Sequence, residues 1–145
     1  MLSEYLQGHI NFLSEVPSWE ESIRVAAQPL VDKGMIMPRY IDDMIENVNA
    51  NGPYIVVVPG IAMPHAQNKG GVLKTAISFL KLETPVRYPQ EKEVSILFVL
   101  AALDSTEHLT LISDLSSLLI DEDVMEEFKK AVTEEEIIRL IRLVE

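Results

Sequence analysis

The stretch Val94-Ser95-Ile96-Leu97-Phe98-Val99-Leu100-Ala101-Ala102-Leu103 decides the fold. Its last eight residues, Ile96 to Leu103, are all apolar. That is far short of the ~20 residues a membrane-spanning helix needs, and too apolar for a strand with one face in water. A strand buried on both faces requires a layer of structure on each side of its sheet. The neighbouring segments supply candidates for those layers. Ala76 to Leu82 and the β-branched run Tyr54 to Val58, closed by Pro59-Gly60, read as two further strands.

Helical patterns flank this central region. Ser18-Trp19-Glu20-Glu21 reads as a capping box, and behind it Trp19, Ile23, Ala26, Ala27, Leu30 and Val31 recur at helical spacing up to a stop at Gly34. Pro38 opens a second helix with the stripe Ile41, Met44, Ile45 and Val48. Toward the C-terminus come three stripes: Leu109, Ile112, Leu115 and Leu119; then Val124, Phe128 and Ala131; then Ile137, Ile138, Ile141 and Val144. Asp104 or Ser105 is placed to cap the first of these, and Thr133, with Glu136 three residues on, the last. Leu2 to Leu13 has mixed spacing and reads as a short helix. With no repeat and no linker, residues 1–145 form a single domain. The predicted class is α/β: a three-layer α/β/α sandwich with a small mixed β-sheet and helices on both faces.

Composition narrows the function. Twelve Lys and Arg against 23 Asp and Glu give a formal net charge of −11. Such a surface repels nucleic-acid phosphates and anionic lipid, so neither a nucleic acid nor a membrane is expected as partner. It leaves two readings, solubility alone or attraction toward a basic patch on another protein. The absence of cysteine excludes a disulfide scaffold, a thiolate zinc site and a cysteine nucleophile. The opening Met1-Leu2-Ser3-Glu4-Tyr5 has no basic segment leading into an apolar one, so a cytoplasmic protein is expected.

Chemistry near neutral pH then falls to three histidines. His9, in the polar stretch Gln7-Gly8-His9, reads as solvated surface. His65 lies in Pro59-Gly60-Ile61-Ala62-Met63-Pro64-His65-Ala66-Gln67-Asn68-Lys69-Gly70-Gly71, directly after a strand. Prolines stiffen the approach and Pro64 biases Met63 away from helix, so the imidazole is held on a loop and open to a partner. An ordinary loop histidine is the alternative. His108 falls in the first turn of a helix that follows the most buried strand, where free amides and the helix dipole suit an anion. A first-turn histidine that only packs or caps is the alternative there. The two are 43 positions apart and meet only through the fold. No His-Glu-x-x-His spacing, nucleophile elbow, Walker loop or dinucleotide fingerprint is present, so no metal and no cofactor is expected.

Gly60-Ile61-Ala62-Met63-Pro64-His65 resembles the phosphorylation motif of EIIA proteins of the mannitol/fructose type (type 2), components of the bacterial phosphoenolpyruvate-dependent sugar phosphotransferase system. Trp19-Glu20-Glu21-Ser22-Ile23, Pro38-Arg39-Tyr40 and Gly52-Pro53-Tyr54 resemble the ascorbate-type branch. The resemblance runs over essentially the whole chain and implies a mixed sheet sandwiched by helices. It implies that His65 accepts a phosphoryl group on Nε2 from phospho-HPr and passes it to a cysteine of a cognate EIIB, linked to a membrane EIIC. His108 matches the second histidine of that site, positioning and stabilising the group. In one respect the chain departs from the mannitol type, which carries an arginine shortly before the motif. Here the matching stretch Glu46-Asn47-Val48-Asn49-Ala50-Asn51 has no basic residue, and Arg39 stands elsewhere. Gln67 stands where ascorbate-type relatives can carry a basic residue. Two other readings stay open: a regulatory phospho-acceptor without transport duty, and a non-catalytic acidic interaction domain.

Overall fold

The computed structural model describes residues 2–145. The chain runs α1 (Leu2–Leu6), β1 (Ile10–Leu13), α2 (Trp19–Asp32), α3 (Pro38–Asn51), β2 (Val56–Val58), β3 (Gly60–Ala62), β4 (Ala76–Tyr88), β5 (Lys92–Ala101), α4 (Ser105–Leu119), α5 (Glu122–Lys130) and α6 (Glu134–Val144). The strands form one five-stranded sheet in the order β1-β4-β5-β3-β2. It is mixed: β1 runs parallel to β4 and β3 parallel to β5, while β4–β5 and β2–β3 are antiparallel.

The all-apolar strand occupies the middle of the sheet, and its side chains divide between two cores. Ile96, Phe98 and Leu100 join Phe79, Leu111, Leu115, Phe128, Ile137 and Ile141 on the face covered by α1, α4, α5 and α6. Val94, Leu97, Val99 and Ala101 join Ile23, Leu30, Met44 and Val48 on the face covered by α2 and α3. This is the layering that a strand without a wet face demands. Polar groups inside it are paired: Ser78 Oγ donates to the Ala26 carbonyl of α2 at 2.6 Å, and Ser22 Oγ lies 2.7 Å from Tyr88 Oη. The caps stand where expected. Ser18 Oγ accepts from the Glu21 amide at 3.2 Å, Asp104 Oδ1 from Glu107 at 2.9 Å and Thr133 Oγ1 from Glu136 at 3.2 Å. Among the described residues, no helix is long and apolar enough to cross a membrane.

Several expectations are corrected. Leu2 to Leu13 is not one helix: it breaks at Gly8, whose φ of 85° suits glycine, and then runs as β1 along the free edge of β4. His9, expected at the surface, is only 4% exposed. Its Nδ1 stands 2.8 Å from the Tyr5 carbonyl and 3.1 Å from that of Ile77, so the ring joins α1 to the sheet. The Tyr54–Val58 strand is confined to Val56–Val58, and Pro59-Gly60 does not end the sheet but turns the chain into β3. On α4 the buried face is Leu111, Leu115, Leu118 and Leu119, whereas Leu109 is 67% exposed. Val144, placed on the α6 stripe, is 38% exposed at the helix end.

Phe79, Phe98 and Phe128 meet at ring-centroid distances of 5.1, 6.1 and 6.3 Å and tie α5 to the central strands. Phe128→Ala opens a cavity in fully buried surroundings and is expected to cost about 3–5 kcal/mol. Urea unfolding monitored by circular dichroism measures it, and a loss below about 1 kcal/mol would contradict this packing.

Candidate active site

β3 and β5 are parallel neighbours, with Ile61 opposite Ile96 and Ala62 opposite Leu97. Their carboxyl ends therefore leave the sheet on the same edge. β3 runs into Met63-Pro64-His65, and β5 into Ala102-Leu103-Asp104 and the first turn of α4, which carries His108. That parallel pairing closes the separation in sequence. The two imidazoles stand with ring centroids 5.2 Å apart and planes at 53°. They line one cleft of ≈ 550 Å³ with Asn47, Tyr54, Asn68 and Leu103 among its other walls.

The loop carrying His65 is fastened at several points. The Leu100 amide donates to the Pro64 carbonyl at 2.9 Å, continuing the sheet beyond β3, and Met63 N donates to Ile55 O at 2.8 Å. The Oη of Tyr40, a buried residue of α3, donates to the Leu100 carbonyl at 2.7 Å and accepts from the Ala66 amide at 3.1 Å. Burial pushes this phenol up to about 12, so it stays a donor. Asn68 Oδ1 accepts from the Gly70 and Val72 amides at 2.9 and 3.1 Å, while its Nδ2 donates to Leu103 O at 3.0 Å. The two site loops are thus tied to each other. Gly70, at φ +94°, has the Arg39 guanidinium 2.6 Å from where a Cβ would stand. Arg39 itself is exposed and does not line the cleft.

His65 is half-buried, and its Nδ1 lies 2.6 Å from the Met63 carbonyl. A carbonyl only accepts, so Nδ1 carries the hydrogen and Nε2 holds the free lone pair of the neutral ring. Burial lowers the His65 pKa below its ordinary 6.5, the Met63 hydrogen bond opposes this, and the neighbouring His108 lowers it further. The imidazole is neutral and nucleophilic at neutral pH.

His108 lies on the first turn of α4, with its amide donating to Asp104 O at 3.0 Å. That turn is bound through Thr75, the residue before β4, whose hydroxyl donates to the Glu107 carboxylate and accepts from Leu103 N at 3.1 Å. Asp104 takes the amides of Glu107 and His108, which leaves those of Ser105 and Thr106 without intrahelical acceptors. Among the described residues lining the cleft, none is Lys or Arg. Sequence reasoning named both imidazoles and missed Asn47, Tyr54 and Tyr40 as parts of their setting. The signal for Asn47 was its place in the stretch lacking the mannitol-type arginine, and that for Tyr54 its place in Gly52-Pro53-Tyr54.

The family model for the phosphoenolpyruvate-dependent sugar phosphotransferase system, EIIA 2, matches residues 5–143. The mannitol-specific cryptic phosphotransferase enzyme IIA component of Escherichia coli (strain K12) is 34% identical over 97% of this chain and 97% of its own length. The ascorbate-specific PTS system EIIA component of the same organism is 32% identical over 91% of this chain and 88% of its own. These two identities do not separate the ascorbate-type branch from the mannitol-type one. A solved complex of enzyme IIAMTL with phosphorylated enzyme IIBMTL from Escherichia coli superposes at a TM-score of 0.81 and 27% identity, over 93% of this chain and 94% of the solved one. At this coverage the chain belongs to the EIIA 2 family of the phosphoenolpyruvate-dependent sugar phosphotransferase system, and it is a phosphotransferase component of that system.

Proposed function

We propose that His65 Nε2 accepts a phosphoryl group from phospho-HPr and passes it to the cysteine of a cognate EIIB, with His108 stabilising the group in transit. The observation that carries this reading is the Met63 carbonyl on Nδ1, which leaves Nε2 as the one lone pair of a neutral imidazole in the cleft shared with His108. In the first step the Nε2 pair forms an N–P bond in line as the N–P bond of the donor breaks, its pair returning to the donor imidazole. In the second step the thiolate sulfur forms an S–P bond and the pair returns to Nε2. The hydrogen on Nδ1 stays in place throughout, so neither step needs an acid or base.

The three phosphoryl oxygens need donors, and the His108 ring and the free Ser105 amide in the cleft wall are candidates. A cleft without Lys or Arg, with the Asp104 carboxylate on its wall, holds a dianion only moderately. That suits a group that must leave again. The IIB partner of the superposed IIAMTL supports the EIIB assignment. Both partners operate at the cytoplasmic side of a membrane EIIC, and the reaction is placed there. On this reading the sugar is bound by EIIC, and the cleft holds the phosphoryl group.

His65→Ala is expected to abolish labelling from phosphoenolpyruvate through enzyme I and HPr; undiminished incorporation by mass spectrometry would refute the assignment. In the same assay, lack of labelling on the unaltered protein would favour a non-catalytic interaction domain. His108→Ala is expected to accept phosphate but to transfer it on the order of 10²-fold more slowly. Unchanged rates in both half-reactions would remove His108 from the mechanism. Because the folded pKa of His65 lies below 6.5, the rate of phosphoryl acceptance should hold as pH falls to 6.5 and drop only at more acid pH. His108→Ala removes one lowering influence, so the inflection should move upward. A wild-type midpoint above 6.5 in an NMR titration of the His65 ring would contradict this.

A further inference from the structure

Asn47, half-buried on α3, has its side chain committed to a chain of hydrogen bonds at the cleft. Its Oδ1 accepts from Asn51 Nδ2 at 2.8 Å. Its Nδ2 donates to the His65 carbonyl at 3.1 Å and to Tyr54 Oη at 2.5 Å. The orientation of the amide is fixed, because the His65 carbonyl only accepts and must face the NH₂ end. Tyr54 Oη is therefore the acceptor in its bond with Asn47, and it keeps its own hydrogen for another partner. Among the described residues that hydroxyl donates to no protein acceptor.

The Tyr54 ring packs edge-on against the His65 imidazole, with centroids 5.8 Å apart and planes at 86°. It is 49% exposed on the wall of the cleft. A side chain with an unspent hydroxyl hydrogen thus packs against the His65 ring, in a cleft lined by no Lys or Arg. A phosphoryl group arriving there brings three strong acceptor oxygens.

We propose that the Tyr54 hydroxyl donates to a phosphoryl oxygen on His65 and that Asn47 is the positioning residue that aims it. This rests on His65 being the phosphoryl acceptor. A neutral hydroxyl adds a hydrogen bond without a countercharge, so it favours the in-line transition state while leaving the phosphorylated state able to discharge.

Tyr54→Phe keeps the ring against His65 and removes only the hydroxyl. In a reconstituted chain of phosphoenolpyruvate, enzyme I, HPr and the full-length protein, labelling is mapped by mass spectrometry and the rate of acceptance is measured across phospho-HPr concentrations. Both proteins should be labelled on His65. The variant's maximal rate should fall about tenfold or more, with KM for phospho-HPr unchanged within about twofold. Hydrolysis of the isolated phosphoprotein and its ³¹P shift should both change. Asn47→Ala should also slow transfer, and in the Tyr54→Phe background it should cost clearly less than it does alone, since both act through one hydroxyl. Labelling on His65 with an unchanged maximal rate would overturn the proposal and leave the His65 assignment standing. A change in KM alone would make Tyr54 a docking contact and overturn it equally. Labelling at a residue other than His65 would overturn both.

Discussion

The parallel pairing of β3 with β5 is the constraint on which the rest depends. β3 contributes only three residues, Gly60 to Ala62, yet its register against Val94, Ile96 and Leu97 sets where the chain leaves the sheet. Because the strands run the same way, the His65 loop and the start of α4 emerge side by side. An antiparallel β3 would send His65 to the opposite edge. The central strand is in turn fixed by burial, since its two faces are divided between two apolar cores and a slip of one residue would exchange them.

Around that geometry the protein builds a site without Lys or Arg inside an acidic molecule. The net charge is −11, and the cleft is lined by imidazoles, amides and a phenol rather than guanidinium or ammonium groups. Each imidazole is held from behind by backbone or by a helix turn: His65 through Nδ1 and the Met63 carbonyl, His108 through a turn fastened by Asp104, Glu107 and Thr75. Preorganised donors of this kind stabilise spread negative charge without reorganisation.

Residues with a local cause were readable from the sequence. The caps at Ser18, Asp104 and Thr133, Pro38 at the head of α3 and the doubly buried β5 depend on neighbours within a few positions or on apolar content. Residues with a distant cause were not. His9 stands in a polar stretch but finds the carbonyls of Tyr5 and Ile77. Ile10 to Leu13 becomes a strand because β4 has a free edge, which no local propensity reports. Leu109 follows the helical period, yet the position of α4 on the sheet turns the face of Leu111, Leu115 and Leu118 inward.

By itself the chain order determined the α/β layering, the loop histidine after a strand and the first-turn histidine at a helix start, because each is a matter of pattern over a few turns or strand residues. Only the tertiary structure decided that these two imidazoles lie 5.2 Å apart, that Nε2 rather than Nδ1 of His65 is free, and that Asn47 and Tyr54 join them. Those facts depend on strand direction and on side chains meeting across long separations, which the packing of the whole sheet between its helices sets.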